Sequence, residues 1–256
     1  MKKEEERFAE SSLMEGMISF RAVIDGIKEG INTRRIVKVL YDKARLKHIA
    51  SHLRYIRAMG KEYGFAVEES DDATIASLAV GTSHGGILTF CTDRELPKLS
   101  DITHKDGFYV LLGGIEDPYN FGYALRSLYA AGADGVILPK RNWMTAAGVV
   151  CRASAGASEQ MPLFVSESDS EIISFFHEKG YRIVTSALEN AKPLKEANLK
   201  RPLLLAIGGE KRGLSKEMLA ASDETVRIDY GRVFKESLSA ASATAILAFA
   251  VLDRNS

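Results

Sequence analysis

Three short loops carry the residues whose types and spacing are suited to chemistry. The first reads Gly113-Gly114-Ile115-Glu116-Asp117-Pro118-Tyr119-Asn120-Phe121-Gly122 and leads on to Arg126. Asp117-Pro118 starts a turn. Asn120 is suited to cap a following helix, whose free N–H groups favour an anion. Arg126 lies six residues beyond Asn120, less than two helical turns, so its guanidinium can reach back toward the same pocket. The second loop is Gly208-Gly209-Glu210-Lys211-Arg212-Gly213-Leu214-Ser215. Its glycines let backbone approach a ligand closely, Glu210 sits among them, and Ser215 reads as a helix cap. The spacing is not that of a phosphate-binding Gly-x-x-x-x-Gly-Lys-Ser/Thr loop, and no Gly-x-Gly-x-x-Gly follows a strand. Both facts count against a kinase and against an ordinary dinucleotide site. The third loop, Lys235-Glu236-Ser237-Leu238-Ser239-Ala240-Ala241-Ser242-Ala243, has small residues that let backbones pack. The hydroxyls of Ser237 and Ser239 are placed to cap a helix or touch a ligand. Taken singly, each loop also reads as an ordinary turn into a helix.

The elements around these loops alternate. Strands are expected at Tyr109–Leu112, Gly135–Leu138, Pro162–Val165, Tyr181–Thr185, Leu203–Ile207 and Thr225–Ile228, with helices between them and a last helix over about Leu238–Leu252. Such alternation implies an α/β fold with a largely parallel sheet, whose ligands bind beyond the carboxyl ends of the strands. Upstream, apolar residues recur at helical spacing from Leu13 to Lys28, Arg35–Tyr41 alternates as a strand, and a helix runs over about Lys47–Lys61 with a stop at Gly64. A strand at Phe65–Val67, a helix at Ala73–Ala79 and a strand at Gly86–Cys91 follow. The expected organisation is a charged arm over 1–12, a small domain over 13–95, a polar linker over 96–105 and a larger domain over 106–256.

Bulk properties narrow the function classes. The chain has 256 residues, 46% of them hydrophobic and 27% charged, an ordinary globular composition able to bury a sizeable core. No apolar stretch reaches the ~20 residues a membrane span needs, and no apolar run follows the charged start, so a secretory signal is not expected. Cys91 and Cys151 lie far apart and read as buried apolar residues in a reducing, cytoplasmic setting. His48 and His52 are four apart on a helix, but nothing nearby completes a metal site. Net charge is zero, yet the window Arg34–Lys61 holds nine basic residues against the single acid Asp42. Arg34, Arg35, Arg54, Arg57 and Lys61 are the candidate contacts to a phosphate backbone, and Arg54, Arg57 and Lys61 share one helix face. Trp143 and Tyr119 are candidates for stacking on a base.

In order and relative spacing, the three loops resemble the three motifs of the SpoU (TrmH) family of RNA 2′-O-ribose methyltransferases. These are Asp117-Pro118-x-Asn120-x-Gly122-x-x-x-Arg126, Gly208-x-Glu210-x-x-Gly213-Leu214-Ser215 and Ser237-Leu238-x-x-x-Ser242-Ala243. Ala153-Ser154-Ala155-Gly156-Ala157 resembles a further family segment, and the likeness covers about 106–254. Residues of about 13–92 resemble the small substrate-binding domain of the family, which is similar to an RNA-binding ribosomal-protein fold. Ser83-His84-Gly85-Gly86 stands where that domain carries a histidine-glycine turn.

The resemblance implies S-adenosylmethionine as cofactor, no metal, a deep trefoil knot in the C-terminal part, and a homodimer with composite active sites. By position, Gly208, Ile228 and Leu238 hold the cofactor largely through backbone groups, with Ser186 at the end of the preceding strand beside them. Arg126 matches the catalytic arginine. A free guanidinium is a very poor base, so it polarises the ribose hydroxyl and clamps the adjacent phosphate. Asn120 and Glu210 orient it, and Ser237 completes the network. Two positions depart from the family pattern: Ser239 stands where Asn is usual, and Asp229 stands where Pro is usual. The extra N-terminal domain favours ribosomal over transfer RNA as substrate. The alternatives are a tRNA 2′-O-methyltransferase and a non-catalytic RNA-binding or ribosome assembly protein with the same fold.

Overall fold

The structure, a computed structural model, describes residues 13–139, 146–209, 213–234 and 236–256. The charged arm, Trp143 and Glu210 therefore lie outside the described residues. The chain divides into two compact units, one formed by Met1–Glu95 with Asn142–Gln160, the other by Leu96–Arg141 with Met161–Ser256.

The first unit is built on a four-stranded sheet of β1 (Leu13–Glu15), β4 (Ile87–Cys91), β2 (Ile36–Asp42) and β3 (Ala66–Ser70), in that spatial order. β2 pairs parallel with β3 and antiparallel with β4. Helices α1 (Gly16–Lys28) and α2 (Leu46–Tyr63) bring Phe20, Val23 and Ile24 and Ile49, Leu53 and Ile56 into one core with Val39 and Tyr41 of β2. Leu40, between those two strand residues, joins Leu13, Leu88 and Ile75 of α3 (Asp72–Leu78) in a second cluster, as the two-residue alternation of a strand requires. Gly64 ends α2 at φ +77°, a left-handed stop that glycine adopts without penalty. The helix expected from Leu13 instead starts at Gly16, because Leu13–Glu15 pairs with β4.

The remaining helices of this unit come from far along the chain. Helices α5 (Ala147–Ala153) and α6 (Ala157–Gln160) pack on the first unit although they lie inside the 106–256 span. Ala147 and Cys151 join the α1–α2 core, and a side chain at Gly26 would collide with the Glu159 carbonyl at 2.1 Å. The Ala153–Ala157 segment is the joint between α5 and α6, with Ala155 and Gly156 both at positive φ.

The second unit is a parallel sheet of seven strands. β5 (Phe108–Leu112), β6 (Gly135–Pro139), β7 (Leu163–Ser166), β8 (Arg182–Ser186), β9 (Lys192–Pro193), β10 (Leu203–Ile207) and β11 (Glu224–Arg227) lie in the order β7-β6-β5-β10-β8-β11-β9. Every residue of β5 and of β10 is buried, the pattern of central parallel strands covered on both faces. Helices α4 (Pro118–Ala130), α7 (Asp169–Glu178), α8 (Lys216–Ala220) and α9 (Ala240–Asn255) complete the unit, and α9 packs on α4. Leu99 and Ile102, within the polar stretch read as a linker, are buried in this unit's core beside Tyr109, Phe176 and Tyr181.

Candidate functional site

The sheet order reverses between β5, β10 and β8, and the loops at the carboxyl ends of these strands meet there. Gly113 N–H donates to the Ile207 carbonyl at 2.9 Å, tying the first loop to the end of β10. A Cβ on Gly209 would stand 2.2 Å from the Gly114 carbonyl oxygen, so the two loops touch backbone to backbone. The second loop also folds on itself: Gly213 N–H donates to the Gly209 carbonyl at 3.0 Å, and a Cβ on Gly208 would sit 2.5 Å from the Gly213 carbonyl carbon.

Beside this junction lies a cavity of about 610 Å³ at the carboxyl ends of β8, β10 and β11. Ser186, Gly208, Ile228 and Leu238 all line it, and so does Ser237. Sequence reasoning did not single out Leu188, Glu189, Tyr230 or Leu247, which also line it. Tyr230 has a definite role: its hydroxyl accepts the Leu238 N–H at 3.2 Å and so braces the third loop across the cavity. Its position two residues beyond Ile228 was the available signal. The chemical character is that of a cofactor cleft, with aliphatic walls from Ile228, Leu238 and Leu247 and polar backbone at glycines where a side chain has no room.

The other expected site residues lie elsewhere. Asn120 is not the cap of α4; Asp117 is, and its carboxylate accepts the Asn120 N–H at 2.8 Å. Pro118 explains the shift: its fixed φ suits the first helical position, where a missing N–H costs nothing, so the capping position falls to the residue before it. Arg126 is exposed on α4 and makes no ion pair among the described residues. Neither Asn120 nor Arg126 lines the cavity of their own chain. Ser239 caps α9, accepting the Ser242 N–H at 3.2 Å, and is not part of the lining. Ser215 caps α8 as expected, accepting the Met218 N–H at 3.0 Å. Asp229 pairs at 3.1 Å with Arg227, which lines the cavity, and is not itself part of the lining.

In the first unit, one expected RNA contact is corrected. Arg34 is 3% exposed, with Nε 2.9 Å from the Glu159 carboxylate and Nη1 donating to the Thr92 carbonyl at 2.8 Å. A guanidinium so enclosed serves packing and does not reach a phosphate backbone. The reason is tertiary: Glu159 arrives from α6, 125 residues away. Arg35, Arg54, Arg57 and Lys61 are exposed as expected, and Arg57 leans over the Tyr41 ring at 5.8 Å. His84 is buried, its Nδ1 accepting the Gly86 N–H at 3.1 Å in the histidine-glycine turn. Cys91 and Cys151 are buried, and burial pushes both thiols up to about 12. Among the described residues no group of three or more His, Cys, Asp or Glu side chains is arranged to hold a metal ion, and no helix is long and apolar enough to cross a membrane.

Comparison with known proteins gives consistent matches. The model of the SpoU rRNA Methylase family matches residues 107–249. The 23S rRNA (guanosine-2′-O-)-methyltransferase RlmB of Shewanella oneidensis is 33% identical over 204 residues, 77% of this chain and 82% of that protein. The AdoMet-bound rRNA methyltransferase from Sinorhizobium meliloti superposes with a TM-score of 0.76 at 23% identity, covering 96% of this chain and 92% of that one. The AdoMet complex of the SpoU methyltransferase AviRb from Streptomyces viridochromogenes also gives 0.76, at 21% identity over 94% of this chain and 89% of its own.

Proposed function

The chain belongs to the SpoU rRNA methylase family and is an S-adenosylmethionine-dependent RNA 2′-O-ribose methyltransferase; from that premise we propose that its substrate is 23S-type ribosomal RNA and that two copies form the working enzyme in the cytoplasm. The cavity beyond β8, β10 and β11, lined by the four residues expected to hold the cofactor, supports the methyl-transfer chemistry, and the likeness to a 23S rRNA methyltransferase supports the substrate. Bound there, S-adenosylmethionine supplies a methyl group activated by its sulfonium. Gly208, Ile228 and Leu238 hold it through backbone and aliphatic contacts, with Ser186 at the edge. The methyl acceptor is the ribose 2′-hydroxyl. Arg126 polarises that hydroxyl and clamps the neighbouring phosphate, since its guanidinium is a strong donor and a very poor base. Asn120 and Glu210 keep the loops around Arg126 in register, and Ser237 lies where the cavity meets the third loop.

The position of Arg126 supports the dimer. Tyr119, Tyr123 and Arg126 follow one exposed stripe of α4, and Ile246 and Phe249 are exposed on α9, which packs against α4. An aromatic and aliphatic surface of this kind suits a second copy, which would bring Arg126, absent from the lining of its own cavity, to the cavity of its partner. The placement of β10 between β5 and β8, with α9 returning to α4, supports the trefoil knot. Residues 13–95 serve as the RNA-binding domain, similar to a ribosomal-protein fold, and present Arg35, Arg54, Arg57 and Lys61 to phosphates. The catalytic domain is the second unit, Leu96–Arg141 with Met161–Ser256.

The test is transfer of labelled methyl from S-adenosylmethionine to ribosomal RNA lacking native modifications, with the product located by the resistance of its linkage to alkali. One labelled, alkali-resistant site in 23S-type RNA is the expected result. Label confined to transfer RNA overturns the substrate assignment. Failure both to bind cofactor and to transfer methyl moves the chain to the non-catalytic RNA-binding alternative.

A further inference from the structure

The loop between β8 and β9 is not one of the three motif loops, yet it forms one side of the cavity beyond β8, β10 and β11: Ala187, Leu188 and Glu189 all line it. β8 and β9 pair parallel with opposite edges of β11, so the loop that joins them crosses β11 near its carboxyl end. It is tied down on both sides of the crossing. Ala187 N–H donates to the Val226 carbonyl at 3.0 Å, and the Arg227 guanidinium donates to the Ala191 carbonyl. Between these ties Asn190 takes φ +51°, a left-handed turn that asparagine tolerates better than most residues. The loop thus has a defined course, and it carries Glu189 to the cavity.

Charge then singles out Glu189. Among the described residues that line the cavity, only Glu189 and Arg227 are charged. Arg227 is committed: besides the Ala191 carbonyl, its Nε meets the Asp229 carboxylate at 3.1 Å. Glu189 is exposed and has no ion pair or hydrogen bond among the described residues. Arg227 and Asp229 balance each other, which leaves the carboxylate of Glu189 as the uncompensated charge of this described wall. S-adenosylmethionine has two cationic centres, its sulfonium and its ammonium, against a single carboxylate, and is a net cation. A carboxylate in a cleft otherwise made of aliphatic side chains and glycine backbone complements that charge.

We propose that Glu189 is a cofactor-recognition residue whose carboxylate meets a cationic centre of S-adenosylmethionine. This rests on the reading of the cavity as the cofactor site. Backbone and aliphatic contacts at Gly208, Ile228 and Leu238 grip the cofactor and its spent product alike, whereas a carboxylate responds to charge. If the centre is the sulfonium, the attraction ends when the methyl group leaves, because the sulfur of the product is a neutral thioether, and exchange of product for fresh cofactor is favoured. An exposed ion pair is screened by water, so the expected effect is at most about fivefold.

The experiment is calorimetric titration of the full chain, without RNA, with S-adenosylmethionine, with S-adenosylhomocysteine, which keeps only the ammonium, and with 5′-methylthioadenosine, which has neither cationic centre but keeps the adenine and the ribose hydroxyls. Glu189→Gln should weaken S-adenosylmethionine about three- to fivefold and leave 5′-methylthioadenosine unchanged. The urea unfolding midpoint should stay put, since no partner is removed. Equal weakening of S-adenosylhomocysteine identifies the ammonium as the centre met, and unchanged binding of S-adenosylhomocysteine identifies the sulfonium. Equal weakening of all three ligands means that Glu189 accepts from the ribose or the adenine and overturns the proposal, as does unchanged binding of all three. Leu238→Trp, which fills the cavity from the third loop, separates that failure from a failure of the cavity reading. It should abolish binding of every ligand; if it leaves binding intact, the cofactor sits elsewhere and both assignments fall.

Discussion

The buried cluster of the first unit and the cavity-bearing end of the second use arginine in opposite ways. In the first, Arg34, Arg94 and Glu159 are all buried, and they join α6 to the loops that flank β2 and β4. Arg94 donates to the carbonyls of Ser158 at 2.6 Å and Ile31 at 3.1 Å, so the cluster is hydrogen-bonded as well as paired. In the second, the cavity is walled mainly by glycine backbone and aliphatic side chains, with Glu189 and Arg227 among its lining, and Arg126 stands exposed with no ion pair among the described residues. A buried, paired arginine is committed to structure, because releasing it strands its partner in a medium that cannot solvate it. An exposed, unpaired one is available to a substrate. The same side chain thus serves shape in the buried cluster and, in the function proposed, chemistry on α4.

The largest effect should come from cutting the buried cluster. Glu159→Ala leaves two guanidinium groups uncompensated and should cost about 3–5 kcal/mol in urea unfolding. A cost below ~1 kcal/mol would mean that the cluster is solvated and the contrast false. The cluster also has a pH signature. Burial by itself pushes the Glu159 carboxyl up, but Arg34 and Arg94 outweigh it and hold the group below the usual carboxylate range. A folded-state value below the unfolded one contributes stability that is present above about pH 4.3 and is lost as pH falls through the folded value. Glu159→Gln should therefore flatten the loss of stability on acidification in that range.

Arg126→Ala should do the reverse, lowering methyl transfer by about 10²–10³-fold while the unfolding midpoint stays put, since no partner is left behind. A large loss of stability with transfer intact would sink the assignment. Gly209→Ala probes the loops between these extremes. Its methyl would meet the Gly114 carbonyl oxygen at 2.2 Å, so the loops must separate at a cost of about 1–3 kcal/mol. Cofactor affinity, measured by calorimetry, should fall with it; unchanged affinity would uncouple the loop junction from the cavity. The smallest effect is at Ser239, where alanine should cost about 1 kcal/mol and asparagine a few tenths at most, because both Ser and Asn cap helices well. A gain in transfer by Ser239→Asn without a change in stability would give this position a role in catalysis beyond its cap.

Much of this was legible in the residues themselves. Strand Leu203–Ile207 was placed without error, because a five-residue apolar run followed by glycines has few other readings. The Gly64 stop and the Ser215 cap follow from local backbone chemistry. The expected cofactor residues lie as much as fifty-two positions apart, from Ser186 to Leu238, yet share one cavity. Their grouping came from family motifs and not from periodicity. Local reasoning slipped at Asn120, where Pro118 moved the cap to Asp117, and at Leu13–Glu15, a three-residue strand with no period to read. Tyr230 escaped notice because its value lies in one hydrogen bond to a residue eight positions away.

By itself, the sequence determined the α/β alternation, the three loops and the exposed basic face of α2, since each depends on periodicity or on the preferences of single residues over a few positions. Tertiary structure alone decided that Arg34 is buried, that α5 and α6 complete the first unit, and that Arg126 is not among the residues lining the cavity. Those outcomes depend on which distant surfaces meet, as Arg34 and Glu159 do across 125 residues, and such meetings are chosen by the packing of whole elements.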